Sequence, residues 1–317
     1  TVVGDGGAIL GTTDGGTTWT MRLRNAAWID PDGRHSNVLT GTHFADENTG
    51  WAVGHAGMIL KTTDSGVSWA TQASSTTFHL DAIHFVDREF GWAVGWTGTV
   101  LKTTNGGANW TAQSGIARER WRAVFFLDRA TGWIVGDFAN VVRTTDGGTT
   151  WLAVRGPVGR HLSSVHFIDR STGWAVGAGD AGTGFSVILK STDGGATWTR
   201  KQPTTAQQLM AVHFVDRDYG LAVGFFGTIL RTRDGGETWE TLPRSTDGHL
   251  SDVFFHDRLN GTVIGENGVI LRTTDGGGTW TNHALTNRPL HALHFTSRNA
   301  GFAVGDYGIV LKATTGN

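Results

Sequence analysis

One marker, T-T-D-G-G-x-T-W, constrains this chain more than any other feature. It first stands at Thr12-Thr13-Asp14-Gly15-Gly16-Thr17-Thr18-Trp19. It returns around Asp64, Asn105, Asp146, Asp193, Asp234 and Asp275, each followed five residues later by Trp. The intervals are 50, 41, 41, 47, 41 and 41 residues, and a worn copy, Thr314-Thr315-Gly316, ends the chain. A unit this short cannot bury its own apolar face, so it must stack on copies of itself. Residues 1–317 therefore read as one repeat domain, although the length alone suggests two.

Each unit reads as four short strands, with residues 80–113 as the example. Strand A is Leu80-Asp81-Ala82-Ile83-His84-Phe85-Val86, followed by a polar turn at Asp87-Arg88-Glu89. Strand B is Gly91-Trp92-Ala93-Val94-Gly95, and strand C is Thr99-Val100-Leu101-Lys102-Thr103. The Asn105-Gly106-Gly107 turn leads into strand D at Trp110. β-Branched and aromatic runs of this length, cut by Gly turns, predict an all-β chain. Four antiparallel strands repeated about an axis make a β-propeller. B–C hairpins occur eight times, but strand A and strand D occur seven times each. Either the N-terminal strand D completes the last of seven blades, or eight blades form with incomplete ends. The short Asp-marked turn favours local C–D pairing, and with it eight blades.

Composition agrees with this reading and narrows the function. The 47 Gly and 14 Trp suit tight turns and buried strands. A formal charge of −2 gives no general pull toward nucleic acid. No apolar run approaches the ~18 residues of a spanning helix. The absence of Cys removes disulfides and thiolate metal sites. The chain opens at Thr1 inside a repeat unit, and further residues are expected upstream of it.

The marker resembles the turn of BNR/Asp-box propellers. The longer string Gly-Trp-Ala-Val-Gly, then Leu-Lys-Thr-Thr-Asp-Gly-Gly and Trp, resembles the photosystem II assembly/stability-factor-like family over essentially the whole chain. That resemblance implies a non-enzymatic, exported, extracytoplasmic protein with no cofactor, binding a partner protein that belongs to a larger membrane or surface complex. Asp-box propellers also include glycoside hydrolases and glycan-binding proteins, which is the alternative expectation.

The conspicuous residues divide between scaffold and candidate site. The Asp-box acids read as local acceptors in Gly turns, and Asn105 keeps the acceptor without the charge. His43, His84, His166, His213 and His294 share one position of strand A, with Phe125 and Phe254 in the other copies. Phe at that position argues for packing over a metal site, so no metal is expected. Arg88, Arg129, Arg170, Arg217, Arg258 and Arg298 each follow strand A. They read either as a recurring Asp-Arg turn or as a basic ring able to steer an acidic partner.

The most informative places are those where the repeat breaks. B–C loops carry His55, Trp96, Phe138, Phe225, Phe226 and Tyr307, and D–A loops carry Trp28 and Trp121. An insertion, Gly179 to Phe185, lengthens one B–C loop. Repetition does not call for aromatics in turns, whereas interfaces use them as anchors. These residues are the candidate binding face. A sialidase-like site would need a Tyr nucleophile, and only Tyr219 and Tyr307 exist. A carboxylate pair would have to come from Asp5, Asp137, Asp180, Glu266 or Asp306. Asp30-Pro31-Asp32-Gly33 reads as a polar turn, because the remaining calcium ligands are missing.

Overall fold

Strand B is buried along its whole length, as in Gly50–Gly54, Gly91–Gly95 and Gly132–Gly136. A strand loses water from both faces only when sheets pack on both sides of it. The computed structural model describes residues 9–11, 20–21, 38–157, 160–179, 186–284, 286–298, 300–306 and 309–313. In it, seven sheets surround one axis as a β-propeller, each with four antiparallel strands in the order A-B-C-D and the seventh with one strand more. The A strands are Leu39–Phe44, Leu80–Phe85, Trp121–Phe126, His161–Phe167, Leu209–Phe214, Leu250–Phe255 and Leu290–Ser297, for blades 1 to 7.

Blade number corrects the eight-blade expectation. The local pairing does form: Leu10 lies opposite Met21 and Gly11 opposite Thr20. That hairpin joins the seventh sheet instead of starting another. Thr20–Met21 pairs antiparallel with Val310–Ala313 and supplies its strand D, while Ile9–Gly11 lies parallel to the same strand. Seven A strands close the circle, because the seventh meets the first: the His43 and His294 rings are 4.1 Å apart. Turn length set the local pairing correctly but carried no information about how many A strands close a ring.

Blades adhere through stacked aromatics. The Trp of strand B lies flat on the last Phe of the next strand A: Trp51 on Phe85, Trp92 on Phe126, Trp133 on Phe167 and Trp174 on Phe214, all at 3.4–3.5 Å. Phe302 on Phe44 closes the ring in the same way at 3.5 Å. Three of the four indoles also reach into the next blade's Asp-box: Trp51 Nε1 donates to Gly106 O, Trp133 to Gly194 O and Trp174 to Gly235 O, at 2.8–3.1 Å, whereas Trp92 Nε1 is buried without a partner among the described residues. A cation on strand C shares the acceptor, as Lys61 Nζ donates to Gly106 O at 2.8 Å and Arg231 to Gly276 O at 2.6 Å. Blade 5 has Leu221 in the Trp seat, and there Tyr219 substitutes: its hydroxyl donates to Gly276 O at 3.0 Å. Tyr219→Phe should cost about 1 kcal/mol, read as a lower denaturant midpoint with an unchanged m-value.

Within each Asp-box the acid ties its own turn. Asp146 Oδ1 accepts from Thr144 Oγ1 and Thr150 N, and Oδ2 accepts from Thr150 Oγ1. These bonds, led by the one from the Thr150 hydroxyl, hold the carboxyl at about 2. Asn105 keeps the two Oδ1 bonds, from Thr103 Oγ1 and Asn109 N. The charge is therefore dispensable in the turn, as the sequence suggested.

Candidate binding face

The B–C loops and the starts of the A strands share one end of the ring. Backbone bonds stitch them together: His55 N donates to Val38 O, Trp96 N to His79 O, Asp137 N to Arg120 O and Phe225 N to Gln208 O. The turn is so tight that the second loop residue is left-handed. Ala56, Thr97, Phe138, Phe226 and Asn267 have φ between 52° and 56°. Asn is tolerated there, but a bulky side chain costs on the order of 1–2 kcal/mol. Two loops nevertheless place Phe in that seat, and Phe138 is 60% exposed and Phe226 47%. Phe138 thus combines backbone strain with an exposed ring and gains little packing.

The other anticipated anchors fall in different environments. Trp96 is 42% exposed, with the Arg120 guanidinium 4.8 Å above its ring. His55 is half-buried against His79, ring centres 4.2 Å apart. Phe225 stacks on His249 at 4.0 Å and leaves the outer position to Phe226. Trp121 corrects the expectation: it begins strand A of blade 3 with no exposure, in the seat that Leu holds in the other blades, so it belongs to the core. Trp28 and Tyr307 lie outside the described residues, as do residues 180–185 of the insertion. One exposed aromatic was missed, Phe78, which is half-exposed just ahead of strand A in blade 2. The rule that selected Trp96 would have found it.

The opposite end carries the Arg residues. Each pairs with the Asp of the preceding blade's turn: Arg88 with Asp46, Arg129 with Asp87 at 2.6 Å, Arg170 with Asp128 at 2.8 Å, and Arg217, Arg258 and Arg298 with Asp169, Asp216 and Asp257 at 2.7 Å. The same Asp side chains accept from their own turn, as Asp87 Oδ1 does from Glu89 N and Phe90 N. The belt is a string of neutral pairs between blades. Exposed pairs of this kind contribute about 0–1 kcal/mol each.

Between the two ends, an aromatic belt crosses the axis. Successive rings His43, His84, Phe125, His166, His213, Phe254 and His294 lie 4.1–6.2 Å apart. Burial keeps the imidazoles neutral, with His84 lowered to about 3 and His166 and His294 to about 4. Among the described residues no group of three or more His, Asp or Glu is placed to hold a metal.

Asp252 behaves in the opposite way to the Asp-box acids. Its carboxylate accepts from Val253 N and Leu293 N, both at 2.8 Å, between two A strands. Burial pushes its pKa up to about 7 against those two bonds. Between about pH 4 and pH 7 the folded chain retains a proton that the unfolded chain has lost. This group's stabilising contribution therefore falls as pH rises through that window. Asp252→Asn removes the titrating group, so the difference in stability between pH 5 and pH 8 should shrink relative to the parent, read by denaturation at both pH values.

Of the residues named for glycoside chemistry, the described ones have partners within the fold. Tyr219 is buried, and burial raises its pKa. Asp137 pairs with Arg122 at 2.6 Å and Asp306 with His291 at 2.7 Å, while Glu266 accepts from His249 N. Asp5 and Asp180 lie outside the described residues.

Comparison with known proteins agrees with the fold. A family model described as photosynthesis system II assembly factor YCF48 matches residues 1–76, 72–155, 200–290 and 238–316. No curated protein matches the sequence. A solved structure described as YCF48 bound to D1 peptide superposes with a TM-score of 0.74 at 22% identity, covering 88% of this chain and 92% of that one. YCF48 from Cyanidioschyzon merolae gives 0.73 at 20% identity, covering 88% and 96%. The WD40 propeller of Doa1 gives 0.71 at 10% identity, covering 88% and 93%, so the likeness to solved structures speaks for the ring alone.

Proposed function

We propose, from the premise that the chain belongs to the YCF48 photosystem II assembly factor family, that it is a non-catalytic propeller holding a partner protein on its B–C and D–A loop face. One observation carries this reading. Phe138 is exposed and held in a left-handed backbone, two costs that the scaffold alone does not call for. Phe226, Trp96 and Phe78 extend the exposed aromatic surface around the same rim. That a YCF48 structure is described as bound to a D1 peptide supports a protein partner for this chain too. We further propose that it acts outside the cytoplasm, within a membrane or surface complex. No helix among the described residues is long and apolar enough to cross a membrane.

The test is capture of partners from the source cells by the intact chain and by a Trp96→Ala, Phe138→Ala, Phe226→Ala variant. A specific partner lost by the variant, with its melting temperature retained, supports the face. Equal capture by both would move the binding site elsewhere. Fractionation of the same cells, with the protein followed by antibody, checks the compartment.

A further inference from the structure

A bulge interrupts every strand A just after its leading Leu or Trp, from which positions are counted; this is the strand's first residue except in blade 4, where it is Leu162. It reverses the in–out alternation, so the second residue and the fifth both face the axis. The fifth is the aromatic belt. The second residues include Thr40, Asp81, Arg122, Ser163, Ser251 and His291, which with Arg120 line a pocket of about 210 Å³ at the loop-face mouth. One position is therefore aromatic in all seven blades, while its neighbour toward the mouth is chemically different almost every time. Packing alone does not generate that contrast.

The charges in the pocket are unevenly spent. Asp81 is held by Arg120 through both oxygens, at 2.6 and 3.0 Å. Arg122 gives Nε to Asp137, and its two terminal nitrogens have no hydrogen bond to the described residues. The Ser163 hydroxyl is buried without a partner. Next to them, His161 is lowered to about 4 by burial and by the positive charges of Arg122, Arg160 and Arg120. The free ends of the Arg122 guanidinium and the unpartnered Ser163 hydroxyl are donors that ask for an acceptor-rich group.

We propose that the axial mouth is a carboxylate-binding pocket in which Arg122 holds the anion and Ser163 donates a hydrogen bond from the wall. The volume is below the ~300–1,000 Å³ of drug-sized sites, so the occupant is a small organic acid or the free carboxyl end of a peptide. This goes beyond the rim reading, and its test uses no protein partner, so either can fail without the other.

Calorimetric titration of the full chain with succinate, with triglycine and with triglycine amide tests it. Binding of succinate alone assigns a small acid, and binding of triglycine alone assigns a chain terminus. The amide should bind at least ~10-fold more weakly than the acid, and Arg122→Gln should lose ~10-fold or more, the range of a charge-assisted hydrogen bond. Ser163→Leu fills the pocket without changing charge and should abolish binding, which guards against a fold defect in the Arg variant. Equal affinity for acid and amide, unchanged affinity in Arg122→Gln, or no heat from either acid at millimolar concentration would overturn the proposal.

Discussion

Replacing Phe138 by Asn should make the protein more stable and a poorer binder at once. Asn267 occupies the equivalent seat in blade 6 with φ 55°, so the backbone accepts that residue unchanged. Relieving a bulky left-handed residue that is 60% exposed should gain about 0.5–1 kcal/mol. Loss of a central aromatic anchor typically costs about 1–2 kcal/mol or more of binding, a ~10-fold drop in affinity. Phe226→Asn should show the same signs with a smaller stability gain, since Phe226 packs edge-on to His249 at 4.8 Å. Chemical denaturation and partner titration on the same samples read both terms. A Phe138→Asn protein that is less stable would mean that the ring packs usefully in the free molecule, and the argument from strain would fall.

The largest stability effect belongs to the interblade Trp. Trp174 is fully buried, lies 3.4 Å from Phe214 and donates to Gly235 O at 3.0 Å. Trp174→Ala removes the stack, the bond and the volume together, for which about 3–5 kcal/mol is expected. Trp174→Phe keeps a stack, as Phe302 does on Phe44. It forfeits the indole bond, so roughly 1–2 kcal/mol is expected. The ordering Ala far below Phe, and Phe below the parent, is checked by denaturant midpoints. Equal losses for Ala and Phe would mean that the hydrogen bond dominates and the stacking does not.

How much of this was legible in the sequence depended on what repeats. Strand order and turn chemistry were readable because each is a local property copied many times. Ring closure was not, because it depends on seven A strands meeting, a property of the whole circle that no single turn encodes. The Arg residues could be read as an exposed cationic ring because their Asp partners lie 41 to 48 residues earlier, as in Arg298–Asp257, Arg129–Asp87 and Arg217–Asp169. Trp121 was misplaced for a related reason. It stands where other blades have Leu, and among the charged residues of its loop it looked like surface. Phe138 was singled out in the sequence, but its left-handed backbone, which distinguishes it from an incidental surface ring, appears only in three dimensions.

The latch between blades also has a direction along the chain. Trp51 closes on Gly106, Trp133 on Gly194, Trp174 on Gly235 and Tyr219 on Gly276, so the donor always precedes its acceptor. During synthesis a blade can pair its own strands as soon as they emerge. Its indole has no carbonyl to meet until the following turn, 55 to 61 residues later, has also left the ribosome. These blades are thus finished by their successors, and maturation of the ring there trails translation by about one and a half units until the N-terminal strand is taken up by the last sheet.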